Sequence, residues 1–264
     1  MPFIAIPAAN TRPICKKLLD DLLTSIKVGG YLDEGYNIVV MFDGCDEHFV
    51  SYFERKYPFI VVCHNKGKAY GFAKNANIGL RYAHKHGMDC FVLNMDTVLP
   101  RVEWLDAVRG EGLSTPTMID IENPTCEKVT MANEGQLYVL GDEKNRERKP
   151  SHKFAGFCIH FSVPLMDKIG YLDEGFIATF EDDDVCIRAN LAGFPCEEVD
   201  VKVHHYINNR SEVSTTGAYT NFRMQCSKLR FQMKWGTIPA TIPHAEYPAY
   251  IFERFVWDDR MRCS

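Results

Sequence analysis

The sequence predicts an α/β fold built on a doubly wound, mostly parallel sheet. Three observations lead there. Short apolar runs alternate with amphipathic stretches through residues 1–100, a rhythm of strand and helix. Polar residues close those apolar runs, as they do where strands meet a ligand crevice. The chain of 264 residues is 46% hydrophobic, enough apolar material to cover both faces of a sheet.

Phe3–Ile6 reads as the first strand, followed by a turn at Ala8–Asn10 and the polar cluster Ala9-Asn10-Thr11. Residues 12–28 place Ile14, Leu18, Leu19, Leu22, Leu23 and Ile26 at helical spacing. Asn37–Phe42 is the second strand, ending in Asp43-Gly44, and Phe59–Cys63 is the third. Ala69–His86 reads as a helix stopped by Gly87, and Cys90–Leu93 as a strand ending at Asn94-Met95-Asp96. Ligands of such sheets lie outside the carboxyl ends of the strands, so these three polar clusters are expected to converge. The second half is less regular. An exposed loop is expected at Gly141–Ser151, strand character at Phe154–Phe161 and a helix at Val163–Ile169. The acidic run Glu181-Asp182-Asp183-Asp184 opens a helix over Val185–Ala192, and Val199–Val203 is a strand closing on His204-His205. Residues 215–235 are again helical, and a Pro-rich aromatic tail follows.

Composition narrows the function. A net charge of −5 gives no bulk attraction to nucleic acid. No apolar run has the length of a membrane span, and no signal-peptide pattern is visible. The ten cysteines show no C-x-x-C pair; Cys63, Cys90 and Cys158 fall inside apolar runs, the pattern of reduced, buried thiols in a cytoplasmic chain.

The clusters suggest a chemistry. Asn94 and Asp96, two residues apart in an extended segment, present hard oxygen ligands on one face. A divalent ion bridging a diphosphate needs only one or two such groups, because phosphate and water fill the rest of its shell. In the acidic run, a carboxylate beside a ligand can act as general base. One of His204 and His205 can complete a metal shell; alternation along the strand keeps both from facing the same crevice.

The order of motifs resembles the GT-A fold, a Rossmann-like sheet, and specifically the inverting glycosyltransferase family 2. The matching segments are Ile6-Pro7-Ala8, Ile38–Asp43, Asn65-Lys66-Gly67, the run from Gly71 to Gly79, and Asn94-Met95-Asp96 as an Asn-x-Asp form of the Asp-x-Asp motif. The closest match is Gly170-Tyr171-Leu172-Asp173-Glu174-Gly175-Phe176, followed by Glu181-Asp182-Asp183-Asp184, Arg188 and Gly193-Phe194; His204 and Lys234-Trp235-Gly236 also have counterparts. The resemblance implies a catalytic domain over 1–210, with a donor half to about 100 and an acceptor half beyond it, then a helical extension over 211–264. It assigns Pro7, Ala8, Asn10, Asp43, Lys74, Asn75, Asn94 and Asp96 to a nucleotide-sugar donor, a UDP- or dTDP-sugar. Asp96, Asn94 and His204 would hold Mn2+ or Mg2+. Asp182 would be the catalytic base, with Asp184 and Arg188 on the acceptor side. Two departures leave openings. Lys74 stands where the family often has Arg, and Asp183 stands where it usually has an apolar residue, so Asp183 and Glu181 also qualify as base.

A saccharide is the expected acceptor. Alternatives are a virus-encoded transferase acting on a hydroxymethylated DNA base in a host cytoplasm, and a non-catalytic nucleotide-sugar-binding domain. Arg254, Arg260 and Arg262 beside Phe252, Phe255 and Trp257 suit a polyanion or a stacked base. A nucleotidyltransferase would want a Gly-rich basic loop after the first strand, which Ala8–Arg12 does not supply.

Overall fold

A computed structural model describes residues 2–10, 13–67, 69–121, 129–131, 137–139, 146–147, 156–177, 179–194, 196–206, 217–236, 251 and 254–264. Strands β1 (Phe3–Ala8), β2 (Asn37–Asp43), β3 (Ile60–Asn65) and β4 (Cys90–Leu93) alternate with helices α1 (Ile14–Val28), α2 (Glu47–Lys56) and α3 (Phe72–Lys85). After β4 come β5 (Thr97–Val98), α4 (Trp104–Val108), β6 (Leu113–Ile121), β7 (Val129–Met131), β8 (Leu137–Val139) and β9 (Arg146–Glu147). The remainder is β10 (Cys158–Phe161), α5 (Val163–Ile169), α6 (Glu181–Leu191), β11 (Cys196–Tyr206) and α7 (Gly217–Trp235).

The main sheet has the order β3-β2-β1-β4-β10-β6-β11-β5, with β9 paired to β6. Strands β1 to β4 are mutually parallel. Strand β10 runs antiparallel to both β4 and β6, so β6 again points the same way as β4, and β11 is parallel to β6. The carboxyl end of β11 therefore emerges at the same edge of the sheet as those of β1, β2 and β4. That polarity brings Asp43, Asp96 and His205 to one edge of the sheet.

Period-two alternation gives the sheet two apolar faces. Ile4, Ile6 and Ala8 of β1 pack with α1, α2 and α4. Phe3 and Ala5 face the other way, onto α3, α5 and α6. Gly79 lets α3 lie close on that face, because a Cβ there would stand 2.5 Å from the Ala5 methyl. Helix α7 forms a third cluster, in which Phe231 and Trp235 meet Phe176 and Ile187.

Several elements differ from the sequence expectation. Helix α2 goes beyond it; the Asp46 side chain caps it by accepting from the Phe49 N–H, and Phe49, Val50 and Phe53 form its buried stripe. Helix α6 begins at Glu181 rather than Val185, so the acids form its first turn, where the helix dipole favours them. Strand β11 extends through both histidines. Of the expected Gly141–Ser151 loop only 146–147 is described, and Thr11, Phe252 and the tail over 238–250 lie outside the described residues.

Candidate active site

The turn between β4 and β5 is fixed at both ends. Asn94 donates its N–H to the Phe157 carbonyl at 2.7 Å and accepts from the Thr97 N–H at 3.2 Å, while the Asp96 carbonyl accepts from the Tyr206 N–H at 3.0 Å. That last bond carries the end of β11 to the metal-type motif. His205, 1% exposed, sets its Nε2 3.2 Å from Asp96 Oδ1, and neither of its ring nitrogens has a hydrogen-bond partner among the described residues. A buried imidazole so placed lacks something, and a divalent ion bound by Asp96, His205 and Asn94 would supply it. His204 lies one residue earlier, hence on the opposite face of the strand. It is partly buried, and that burial lowers its ring pKa. The histidine brought to Asp96 is therefore His205, where the resemblance named His204.

The acidic run is presented by a strained turn. Thr179 and Phe180 both have φ near +67°, a left-handed conformation that non-glycine residues rarely hold and that recurs at functional sites. Beyond it the four acids separate by environment. Asp184 is 0% exposed and saturated: Arg188 Nε lies 2.8 Å away, Lys234 Nζ 2.7 Å and Trp235 Nε1 3.0 Å. Arg188, equally buried, also donates to the carbonyls of Ile169 and Tyr171. This pair offers no atom to a ligand; it locks α6 to α7 and to the Gly170–Phe176 loop. Asp183 is 4% exposed. Burial, reinforced by the charges of Asp182, Asp183 and Asp184, pushes the Glu181 carboxyl up to about 8. Glu181 and Asp182 are the half-buried members of the run, and Asp182 accepts the Gly156 N–H at 3.2 Å.

Gly156 and Phe157 thus join the two clusters. The Phe157 carbonyl takes the Asn94 N–H, its ring lies 5.3 Å from the His205 ring, and the adjacent Gly156 N–H binds Asp182. A side chain at 156 would press on the Asp182 carboxylate. No motif marks these two residues, and only the folded neighbourhood of β10 identifies them.

Around the other predicted positions the chain mostly contacts itself. Asp43, 6% exposed, accepts from Asn65 Nδ2 at 2.8 Å, from the Tyr70 N–H at 2.9 Å and from the Gly71 N–H at 3.1 Å, holding the loop into α3. Gly71 adopts φ +97° there. Asn10 donates to Asp46 at 2.9 Å, and Lys74 Nζ sits 4.6 Å from the centre of the Tyr70 ring. Asn75 is 3% exposed and donates to the Met41 carbonyl, leaving its buried Oδ1 without a partner among the described residues. Pro7 and Ala8 are buried at the end of β1.

A second acidic grouping is electrostatically closed. Single ligand atoms of Asp173, Asp184 and Cys263 lie within 4.8 Å of one another. Yet Arg230 and Lys234 pair with Asp173, and Arg188 and Lys234 with Asp184, so fixed cations take the place of a metal ion. Burial alone would raise the Asp173 pKa, but Lys234 and Arg230 overcome it and hold the carboxyl at about 2.

No protein-family model matches the chain. The hexosyltransferase Agl10 of low-salt glycan biosynthesis from Haloferax volcanii is 25% identical over 176 residues, covering 60% of this chain and 57% of its own length. The structure of S. aureus TarS 1-349 with UDP superposes with a TM-score of 0.51 at 14% identity, covering 95% of this chain and 78% of that one. The same protein with UDP-GlcNAc gives 0.53 at 14% identity, over 88% of this chain and 67% of that one. The mannosyltransferase PcManGT from Pyrobaculum calidifontis, with GDP-Man and Mn2+, gives 0.52 at 13% identity, over 98% of this chain and 76% of that one. Sheet order and these superpositions agree: the chain has the GT-A fold of these glycosyltransferase structures.

Proposed function

We propose that this chain transfers a sugar from a nucleotide-diphosphate sugar, a UDP- or dTDP-hexose, to a hydroxyl of a saccharide acceptor, with inversion at the anomeric carbon. The observation that carries the reading is the Gly156–Phe157 bridge, which sets Asp96 and His205 on one side and Asp182 on the other. An inverting displacement needs that separation, because the attacking oxygen and the leaving diphosphate lie on opposite faces of the sugar.

Asp182 removes the proton from the acceptor hydroxyl as its oxygen attacks the anomeric carbon and the bond to the diphosphate breaks. Burial and its acidic neighbours push the Glu181 carboxyl up, so it is less ionised at neutral pH than an ordinary carboxylate, which favours Asp182 as the base. Asp183, at 4% exposure, is less accessible than Asp182. Asp96, His205 and Asn94 would hold a divalent ion, Mn2+ or Mg2+, which when bound offsets the negative charge that builds on the departing diphosphate. The loop from Asn65 to Gly71, tied to Asp43, forms the donor side with Lys74. Agl10 is named a hexosyltransferase, and the solved neighbours carry UDP, UDP-GlcNAc or GDP-Man, which supports a nucleotide-sugar donor.

The test is release of nucleoside diphosphate from a panel of nucleotide sugars with Mn2+, with and without acceptors. Asp182→Asn is expected to lower kcat by about 10²–10⁴-fold while leaving donor affinity unchanged. Full activity in Asp182→Asn, or no turnover of any donor by the native chain, would refute the proposal.

A further inference from the structure

Helix α7 carries a stripe on the wrong side for a water-facing helix. Its buried residues, Ser227, Phe231 and Trp235, follow helical spacing and face the core. Phe222, Cys226, Leu229 and Met233 recur at i, i+4, i+7 and i+11, which at about 100° per residue puts them on the opposite, outward side. Phe222 is 63% exposed, Leu229 58% and Met233 86%. No carboxylate interrupts this surface: residues 217–235 hold Arg223, Lys228, Arg230 and Lys234 and no Asp or Glu. Beside Leu229 and Met233 runs a groove of about 670 Å³ whose other wall brings Arg260 and Arg262 alongside Arg230 and Lys234. Asp173 pairs with Arg230 and Lys234, Asp184 with Lys234, Asp258 with Arg260 and Asp259 with Lys168, while α7 itself contributes four cations and no acid.

An apolar ridge flanked by cations, lying on the surface of a folded domain, has the chemistry of an interface with anionic lipid. We propose that α7 and the Arg260–Arg262 segment dock the protein on the surface of an anionic phospholipid bilayer. Phe222, Leu229 and Met233 enter the headgroup boundary, and the basic groove receives lipid phosphates. No described helix is long and apolar enough to cross a membrane. Two tail aromatics among the described residues are engaged within the protein: Phe255 packs on Trp235 at 5.3 Å, and Trp257 donates to Asp259 under Lys168. They do not form a free stacking platform for a nucleic-acid base, which favours the lipid surface as the polyanion.

The proposal does not depend on the transferase reading, because its assay measures binding alone. The native chain is mixed with vesicles of phosphatidylglycerol or of phosphatidylcholine and sedimented. Binding is expected to phosphatidylglycerol only. It should weaken about five-fold per cation removed in Lys228→Ala and Arg262→Ala and fall further at high salt. The pair Leu229→Asp and Met233→Asp, both exposed, is expected to abolish binding with an unchanged Tm and unchanged thermal shift with UDP. Equal binding to both vesicles, or binding indifferent to the paired substitution, overturns the proposal. So does a dimer in analytical ultracentrifugation that the paired substitution dissociates while no vesicle binds, since the stripe would then cover a second copy.

Discussion

Replacing Arg188 by Met tests how the acid helix is held in place. The side chain keeps its length and loses its charge, and it is 0% exposed, so no water replaces the lost bonds. Three go: to Asp184 Oδ2 at 2.8 Å, to the Ile169 carbonyl at 2.8 Å and to the Tyr171 carbonyl at 2.7 Å. Each orphaned buried acceptor costs about 1–3 kcal/mol. Asp184 Oδ1 keeps Lys234 and Trp235, which holds the total to about 3–5 kcal/mol, the range for a buried pair that loses one partner. For a domain of this size that corresponds to a Tm lower by about 6–20 °C. Urea unfolding followed by far-UV circular dichroism measures it, with m unchanged. Asp184→Leu combined with Arg188→Met removes both charges and is expected to cost less than Arg188→Met alone. A loss below about 1 kcal/mol for the single variant, or a double variant worse than either single one, refutes the assignment of this pair as the lock of α6.

Glu181→Gln is expected to change how stability depends on pH. The folded carboxyl titrates near 8 and the unfolded one near 4.5, so the folded state binds more protons and stability falls as pH rises between those values. The variant should match the native chain at pH 4 and exceed it at pH 9 in urea midpoint; a constant difference across that span contradicts the burial argument. His205→Ala is expected to weaken Mn2+ binding, measured by calorimetry with the metal alone, by at least about ten-fold, and His204→Ala to leave it unchanged. The reverse ranking would return the ligand to His204. Gly170→Ala forces a Cβ at φ +74° into the Cys263 carbonyl, so the bridge between residues 170 and 263 should open. A drop in Tm with faster exchange of the Tyr171 amide, which donates to that carbonyl at 3.0 Å, is the expected sign.

The parallel half of the sheet was legible in the sequence because periodicity and strand-end polarity are local. Phe3 to Asp96 can be read almost element by element, and the crevice at Asp43, Asn94 and Asp96 follows from sheet polarity alone. Choosing between His204 and His205 was not local. It depends on the register that sets His205 opposite Thr97 and His204 opposite Val98, and that is fixed by the pairing of β11 with β5. The acids posed the same difficulty. Four consecutive carboxylates look alike in sequence, yet Arg188 and Lys234 claim Asp184, burial raises the Glu181 carboxyl, and the Gly156 N–H binds Asp182. Gly156 and Phe157 carried no sequence signal, since what they contribute is a backbone N–H, a carbonyl and a ring placed by the antiparallel insertion of β10.

The left-handed turn at Thr179 and Phe180 bears on how this protein can be altered over generations. Glycine at either position would relieve a backbone penalty of order 1 kcal/mol. Phe180, however, also holds its ring 5.5 Å from that of Phe231, tying the turn to α7. Selection for heat resistance alone would tolerate glycine at 179 and gain from it, while the angle at which Asp182 leaves the helix start became less defined. Populations drifting under weak demand for turnover should accumulate such relaxations first at 179, and those under strong demand should retain the uncomfortable residue.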